Sequence, residues 1–146
     1  MKELTFALIK PHIVKNSIVV ERIMNVINEK FKILEIKKVH MDDQMACQFY
    51  EEHVGKFYFD RLMKLMCSGP TLALILEGNN SIKIWREIMG PTKVYKSVHT
   101  HPNTLRSLYG ISDTRNVCHG SDSAESVKRE ISIMFPKFGY DKYINS

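Results

Sequence analysis

A carboxylate in an unfavourable place and an imidazole eleven residues before it are the side chains of this sequence best suited to chemistry. Glu130 follows Val127 by three residues and precedes Met134 by four, so it falls on the apolar stripe of a helix. Burying a carboxylate there is costly unless it is paired or hydrogen-bonded. Two readings stand: an edge position whose carboxylate reaches water, or a residue that holds a donor, for which His119 is available. His119 lies in Arg115-Asn116-Val117-Cys118-His119-Gly120-Ser121-Asp122-Ser123, just before a Gly-Ser-Asp turn that opens that helix. Free backbone N–H groups and the helix dipole favour an anion at such a place. An imidazole beside it could be structural, or could accept a phosphoryl group on one nitrogen while a carboxylate decides which nitrogen is free.

A phosphate would need cations. Lys10 ends a strand just before Pro11, and Arg86 and Arg106 flank a long loop. Each taken singly reads as a solvated surface charge, and spacing does not join them. The 146 residues carry 21 Lys+Arg against 16 Asp+Glu, a formal charge of +5. The basic residues are spread along the chain, without the stripe or stacking platform of a nucleic-acid surface. A small anionic ligand such as a nucleotide suits the modest excess. The two histidines of His99-x-His101 lack a convincing third and fourth ligand, Cys118 included, so no metal site is expected. Three cysteines without a CxxC pair read as reduced thiols.

The elements that must carry these residues follow from periodicity. Leu4–Ile9 reads as a buried strand stopped at Lys10-Pro11. Ser17 precedes an amphipathic stripe of Val20, Ile23, Met24, Ile27 and Phe31. Phe31–His40 reads as a second strand. Asp42 or Asp43 caps a helix to about His53, and a second helix covers Phe57–Cys67 before the Ser68-Gly69-Pro70 stop. Thr71–Leu76 reads as a central strand, and Asn79 or Asn80 caps a helix to Met89. Pro91–Asn103 lacks periodicity and reads as a long loop, followed by a short turn at Thr104–Tyr109; Asn116–His119 is too brief to assign alone but could be an edge or central strand. Asp122 with Glu125 resembles a capping box for the helix of Ala124, Val127, Ile131 and Met134. The order predicts one α+β domain over residues 1–146. Its core is a ferredoxin-like βαββαβ unit, a four-stranded antiparallel sheet covered by helices, with a long loop before the active-site strand.

Asn116-Val117-Cys118-His119-Gly120-Ser121-Asp122 resembles the N-x-x-H-G-S-D signature of nucleoside diphosphate kinases. Thr5–Pro11 resembles the family's first strand and its Lys-Pro end. Phe49-Tyr50, Phe57-Tyr58-Phe59 and Ser68-Gly69-Pro70 resemble its two-helix lid and the turn after it. Arg86 through Thr92 resembles R-x-x-x-G-x-T, and Thr104-Leu105-Arg106 resembles T-I-R. The similarity runs in order from about Leu4 to Pro136, and the Gly90-Pro91-Thr92 form is most like the divergent subgroup represented by nucleoside diphosphate kinase 6. The resemblance implies ping-pong transfer of a γ-phosphoryl group from a nucleoside triphosphate, usually ATP, to a nucleoside diphosphate. His119 would be the nucleophile and become phosphohistidine, with Glu130 and Ser121 orienting it. Lys10, Tyr50 and Asn116 would surround the transferred group or the ribose. Arg86, Thr92 and Arg106 would bind the outer phosphates, and Tyr58 would stack on the base. Mg²⁺ would arrive on the nucleotide phosphates.

Measured against that pattern, the loop between Thr92 and Arg106 is about three residues longer than usual, and Asp113 falls where an apolar residue usually faces the base. The tail after Phe135 is short. Loop and tail leave a homo-oligomer an open question, and an alternative is a slow nucleotide- or partner-binding member of the same fold. No apolar run approaches the ~20 residues of a membrane span, and no presequence is seen. The expected location is the cytoplasm, with mitochondria implied by the subgroup.

Overall fold

A computed structural model of the chain describes residues 2–146. Its centre is a strand that is buried on both faces. In β1 (Glu3–Ile9), Leu4, Phe6 and Leu8 point into one hydrophobic cluster, and Ala7 and Ile9 into another. That explains why a nearly unbroken apolar run is needed there: neither face meets water. β3 (Thr71–Gly78) and β4 (Cys118–Gly120) flank it, and β2 (Lys32–Val39) lies outside β3. The order is β2-β3-β1-β4, and every pairing is antiparallel. This is the ferredoxin-like arrangement expected. β2 is an edge strand, largely exposed, with an irregularity between Ile33 and Glu35.

One face is covered by α2 (Ser17–Lys30), through Ile23 and Ile27, and by α5 (Ser81–Met89), through Trp85 and Met89. The other is covered by α3 (Asp43–Phe49), α4 (Phe59–Met66) and α8 (Ala124–Met134). Short helices complete the chain: α1 (Pro11–Val14), α6 (Val94–Thr100), α7 (Leu105–Tyr109) and α9 (Tyr140–Ile144). Among the described residues no helix is long and apolar enough to cross a membrane.

Several boundaries differ from the sequence reading. The helix expected to reach His53 stops at Phe49. Tyr50 leaves helical geometry (φ −105°, ψ 29°) and a 3₁₀ turn, Glu51–His53, follows. The long loop contains α6, whose two buried residues, Val94 and Ser97, are three apart. Two core-facing positions, one of them polar, leave no apolar stripe to detect. Asp42, one of the two expected caps, does cap α3, accepting from Met45 N at 2.8 Å. Other caps differ: Asn16 caps α2 by accepting from Val19 N at 3.2 Å. Ser123 caps α8 from Ser126 N at 3.1 Å, while Asp122 instead accepts from the Ser126 hydroxyl at 2.6 Å, so the predicted Asp122–Glu125 box is not formed. Asn80 stands at the start of α5 in the left-handed region without a side-chain cap. Glu3 reaches across from β1 to accept from Ile82 N at 2.9 Å. No local pattern could announce a cap that comes from 79 residues away.

Candidate functional site

β4 is only three residues long, yet it hangs on β1 through Leu8↔His119 and its neighbours, and Ser121 N continues the pairing to Phe6 O at 3.2 Å. Strand alternation sends Cys118 into the cluster under α2 and α5 and turns His119 to the other face. There the imidazole meets Phe49 edge-on at 5.1 Å between ring centres, with Phe6 at 6.4 Å and Tyr50 at 6.1 Å. Gly120 returns to the α5 side and lies against Trp85. A Cβ there would stand 2.5 Å from Trp85 Cδ1, so only glycine lets the strand settle at this depth. Trp85 Nε1 donates to His119 O at 3.2 Å.

The chain enters β4 through a strained turn. Val117 has φ +81°, rare for a β-branched residue, and Cys118 N bonds back to Asn116 O at 3.0 Å, closing a three-residue γ-turn. Two long-range contacts hold it: Lys10 N donates to Val117 O at 2.9 Å, and Val117 N donates to His12 Nε2 at 3.3 Å. Strain that is held in place from outside is characteristic of functional sites.

His119 and Glu130 do come together. Nε2 lies 2.9 Å from Glu130 Oε1, and the Ser121 hydroxyl donates to the same oxygen at 2.5 Å. An acceptor-only carboxylate oxygen requires the proton on Nε2, which leaves the lone pair on Nδ1. Glu130 is buried (3%), and the imidazole side chain keeps 23% of its surface open. The reading of Glu130 as an edge residue in water is therefore set aside.

The cations gather as well, though burial separates them. Lys10 and Arg106 are buried and Arg86 is exposed, so the surface-charge reading fails for the first two. Burial, reinforced by the Arg106 charge, pulls the Lys10 ammonium down to about 7, and its Nζ donates to Thr114 O at 3.2 Å. Arg106 spreads its fork over three carbonyls: Nε to Asn116 (3.1 Å), Nη1 to Gly90 (2.8 Å) and Nη2 to Cys118 (2.9 Å). It ties the end of α5 to both sides of the γ-turn. Burial lowers its guanidinium too. Arg86 is near enough to act electrostatically on Arg106 and Asp122. Asp122 is held low chiefly by the Ser126 hydroxyl. Thr92 is exposed between α5 and α6.

Among the described residues, three buried polar atoms at this site lack partners: the Tyr50 hydroxyl, Asn116 Oδ1 and His12 Nδ1. Asn116 Nδ2 is held by Asp113 O at 2.8 Å. The Tyr50 phenol is pushed strongly upward by burial and then by the Glu130 charge, so it is a neutral donor. The Tyr50 hydroxyl, a donor beside two buried cations, suits an anion, while Asn116 Oδ1 is an acceptor and suits a ligand hydroxyl. Tyr58 lies half-buried at the start of α4, its hydroxyl 2.5 Å from His53 Nδ1. His53 was not foreseen in the sequence. Its ring is 6.0 Å from Tyr50, and burial lowers its pKa against the opposing Glu52 charge; no sequence pattern pointed to it. His12 was also missed. Burial and then Lys10 push it down to about 4, which keeps it neutral and able to accept from Val117. Among the described residues no group of three or more His, Cys, Asp or Glu side chains could hold a metal ion.

The model of the family described as nucleoside diphosphate kinase matches residues 3–139. The chain belongs to the nucleoside diphosphate kinase family. Nucleoside diphosphate kinase 6 of Danio rerio is 44% identical over 142 residues, covering 97% of this chain and 81% of the relative. The Homo sapiens protein of the same name is 39% identical, covering 97% and 76%. A nucleoside diphosphate kinase of Thermoanaerobacter is 40% identical, covering 92% and 98%. Among solved structures, the Aquifex aeolicus nucleoside diphosphate kinase superposes with a TM-score of 0.86 at 33% identity, covering 92% of this chain and 96% of that one. The family is one of nucleotide-binding phosphotransferases, and the relatives named kinase 6 agree with the subgroup read from Gly90-Pro91-Thr92.

Proposed function

We propose that this member of the nucleoside diphosphate kinase family is an active enzyme, moving a γ-phosphoryl group from a nucleoside triphosphate to a nucleoside diphosphate through phosphohistidine at His119. The observation that carries the reading is the Nε2–Glu130 pairing, which leaves Nδ1 as the free nucleophile beside a pocket of buried donors. In the first half-reaction the Nδ1 lone pair attacks the γ-phosphorus. The bond from that phosphorus to the β–γ bridging oxygen breaks, and the diphosphate leaves with the electron pair. Glu130 faces the Nε2–H as the ring becomes cationic, and Ser121 keeps the carboxylate in place. In the second half-reaction a terminal oxygen of another nucleoside diphosphate attacks the phosphohistidine, and the N–P bond breaks back onto Nδ1. Neither step needs a general base for a water, so the protein's task is positioning and charge stabilisation.

Lys10 and Tyr50 supply donors to the phosphoryl oxygens and ribose, and Asn116 offers its unpaired Oδ1 to a ribose hydroxyl. Arg106, with the N–H groups its three carbonyls leave over, Arg86 and Thr92 face the outer phosphates. Tyr58 offers its ring to the base, which accepts any base because each has a π face. These protein groups are cations and neutral donors, a set that fits phosphate oxygens, with Mg²⁺ carried in on the nucleotide. Bound there, Mg²⁺ supplies charge neutralisation on the phosphates.

The test is to incubate the purified protein with γ-labelled ATP and Mg²⁺, isolate it, and chase with GDP. Acid-labile, base-stable label that moves to GTP is the expected result, and His119→Ala should abolish both label and exchange. Nucleotide binding without label would favour the slow binding module, and exchange retained in His119→Ala would overturn the mechanism.

A further inference from the structure

The helix that carries Glu130 also carries Arg129, which the phosphotransfer scheme does not use. Its guanidinium lies across the end of α3: Nη1 donates to Gln48 O and Nη2 to Phe49 O, each at 3.2 Å. These are carbonyls of the last helical turn, where in-helix partners run out. The same fork stands 3.9 Å from Glu130 Oε2 and 4.0 Å from Glu51 Oε1. Immediately after Phe49 the chain breaks helical geometry at Tyr50, whose ring packs on Phe49 at 4.8 Å and faces His119 at 6.1 Å. His53 follows on the 3₁₀ turn and is bonded to Tyr58. α3 starts from a firm cap at Asp42, but its far end, from which Tyr50, His53 and Tyr58 depart, is gripped from α8 by Arg129.

We infer that Arg129 is a positioning residue for nucleotide: its fork fixes the end of α3, and with it Tyr50 and the His53–Tyr58 pair, at a set distance from the His119–Glu130 pair. The inference rests on the phosphotransfer reading. Two consecutive carbonyls call for a planar fork with spaced donors, which arginine has and lysine lacks. A lysine reaches one carbonyl and keeps the charge, and an alanine keeps neither. The effect falls first on the groups that meet ribose and base, because the hydrogen bonds that hold His119 run to Ser121 and Glu130 and not to α3. The approach of Arg129 to Glu130 and the Phe49 ring against His119 add a smaller effect on phosphoryl transfer itself.

The experiment compares the full-length wild type, Arg129→Ala and Arg129→Lys in phosphoenzyme formation from two donors, ATP and phosphoramidate. The second is a small phosphoryl donor without base or ribose. Arg129→Ala is expected to need about tenfold more ATP for half-saturation, the equivalent of one or two lost hydrogen bonds. Its rate with phosphoramidate should fall much less than its rate at limiting ATP, and Arg129→Lys should lie between wild type and Arg129→Ala with ATP. Unchanged half-saturation by ATP in either variant overturns the inference, as does an equal loss with both donors, which marks a merely structural role. Should Arg129→Ala not fold, Arg129→Lys alone decides by the same comparison. A wild type that takes no label from either donor overturns the phosphotransfer reading and the inference with it.

Discussion

At the scale of single residues, the site keeps two positively charged groups away from water. Lys10 shows what that costs. Its ammonium is lowered from the ordinary lysine range to about 7 by burial and by Arg106. Between about pH 7 and the unfolded value near 10.4 the unfolded chain therefore holds more protons than the folded one. Stability rises with pH across that window, and the penalty is fully present below about pH 7. Lys10→Met, of similar length and apolar, should therefore raise Tm more at pH 6 than at pH 9.5, while lowering nucleotide affinity; thermal melts at the two pH values check it. An equal shift at both would contradict the burial argument. Such a trade of stability for function is common in binding sites. Much of this scale was legible beforehand. Glu130 on an apolar stripe and His119 before a Gly-Ser-Asp turn are anomalies in one dimension, and an anomaly in sequence is visible without coordinates. His12, His53 and Arg129 were not visible, because each acts on backbone atoms or partners that sequence distance hides.

Secondary-structure elements show the same division. β1, β3 and α2 were readable because continuous burial or a 3.6-residue stripe dictates them. α6 was not, since its inward positions are Val94 and Ser97 and the serine sits in a hydroxyl cluster with Thr104 and Ser107. β4 was recognisable only by motif. Three residues are too few for periodicity, and the strand is held by β1, by Arg106 and by contact with Trp85. The element tolerates nothing larger than glycine at its end. Gly120→Ala should press a methyl against Trp85 Cδ1 and Nε1 and Met89 Cε and lift β4 from α5, losing about 1–3 kcal/mol. A Tm lower by several degrees, with slower phosphorylation, is the expected result. A Tm within a degree of wild type would show that the strand has more slack than these distances allow.

Across the whole molecule, the sheet order brings the first strand beside the last, so the candidate site joins residues about 110 positions apart: Leu8 with His119, Lys10 with Val117. Closing that separation is among the costlier loops in the fold. His119 cannot be presented by either half of the chain alone. One contact makes this closure observable by light. Trp85 is the sole tryptophan of the protein, it is fully buried, and its indole N–H is bonded to the carbonyl of His119. Its emission is therefore an intrinsic optical gauge of whether β4 is seated. On dilution from denaturant, the blue shift of that emission and the regain of phosphotransfer should follow a single time course, and a lag of activity behind the spectral change would separate seating of the strand from completion of the site. The protein carries its dye a hydrogen bond away from the residue whose placement matters most.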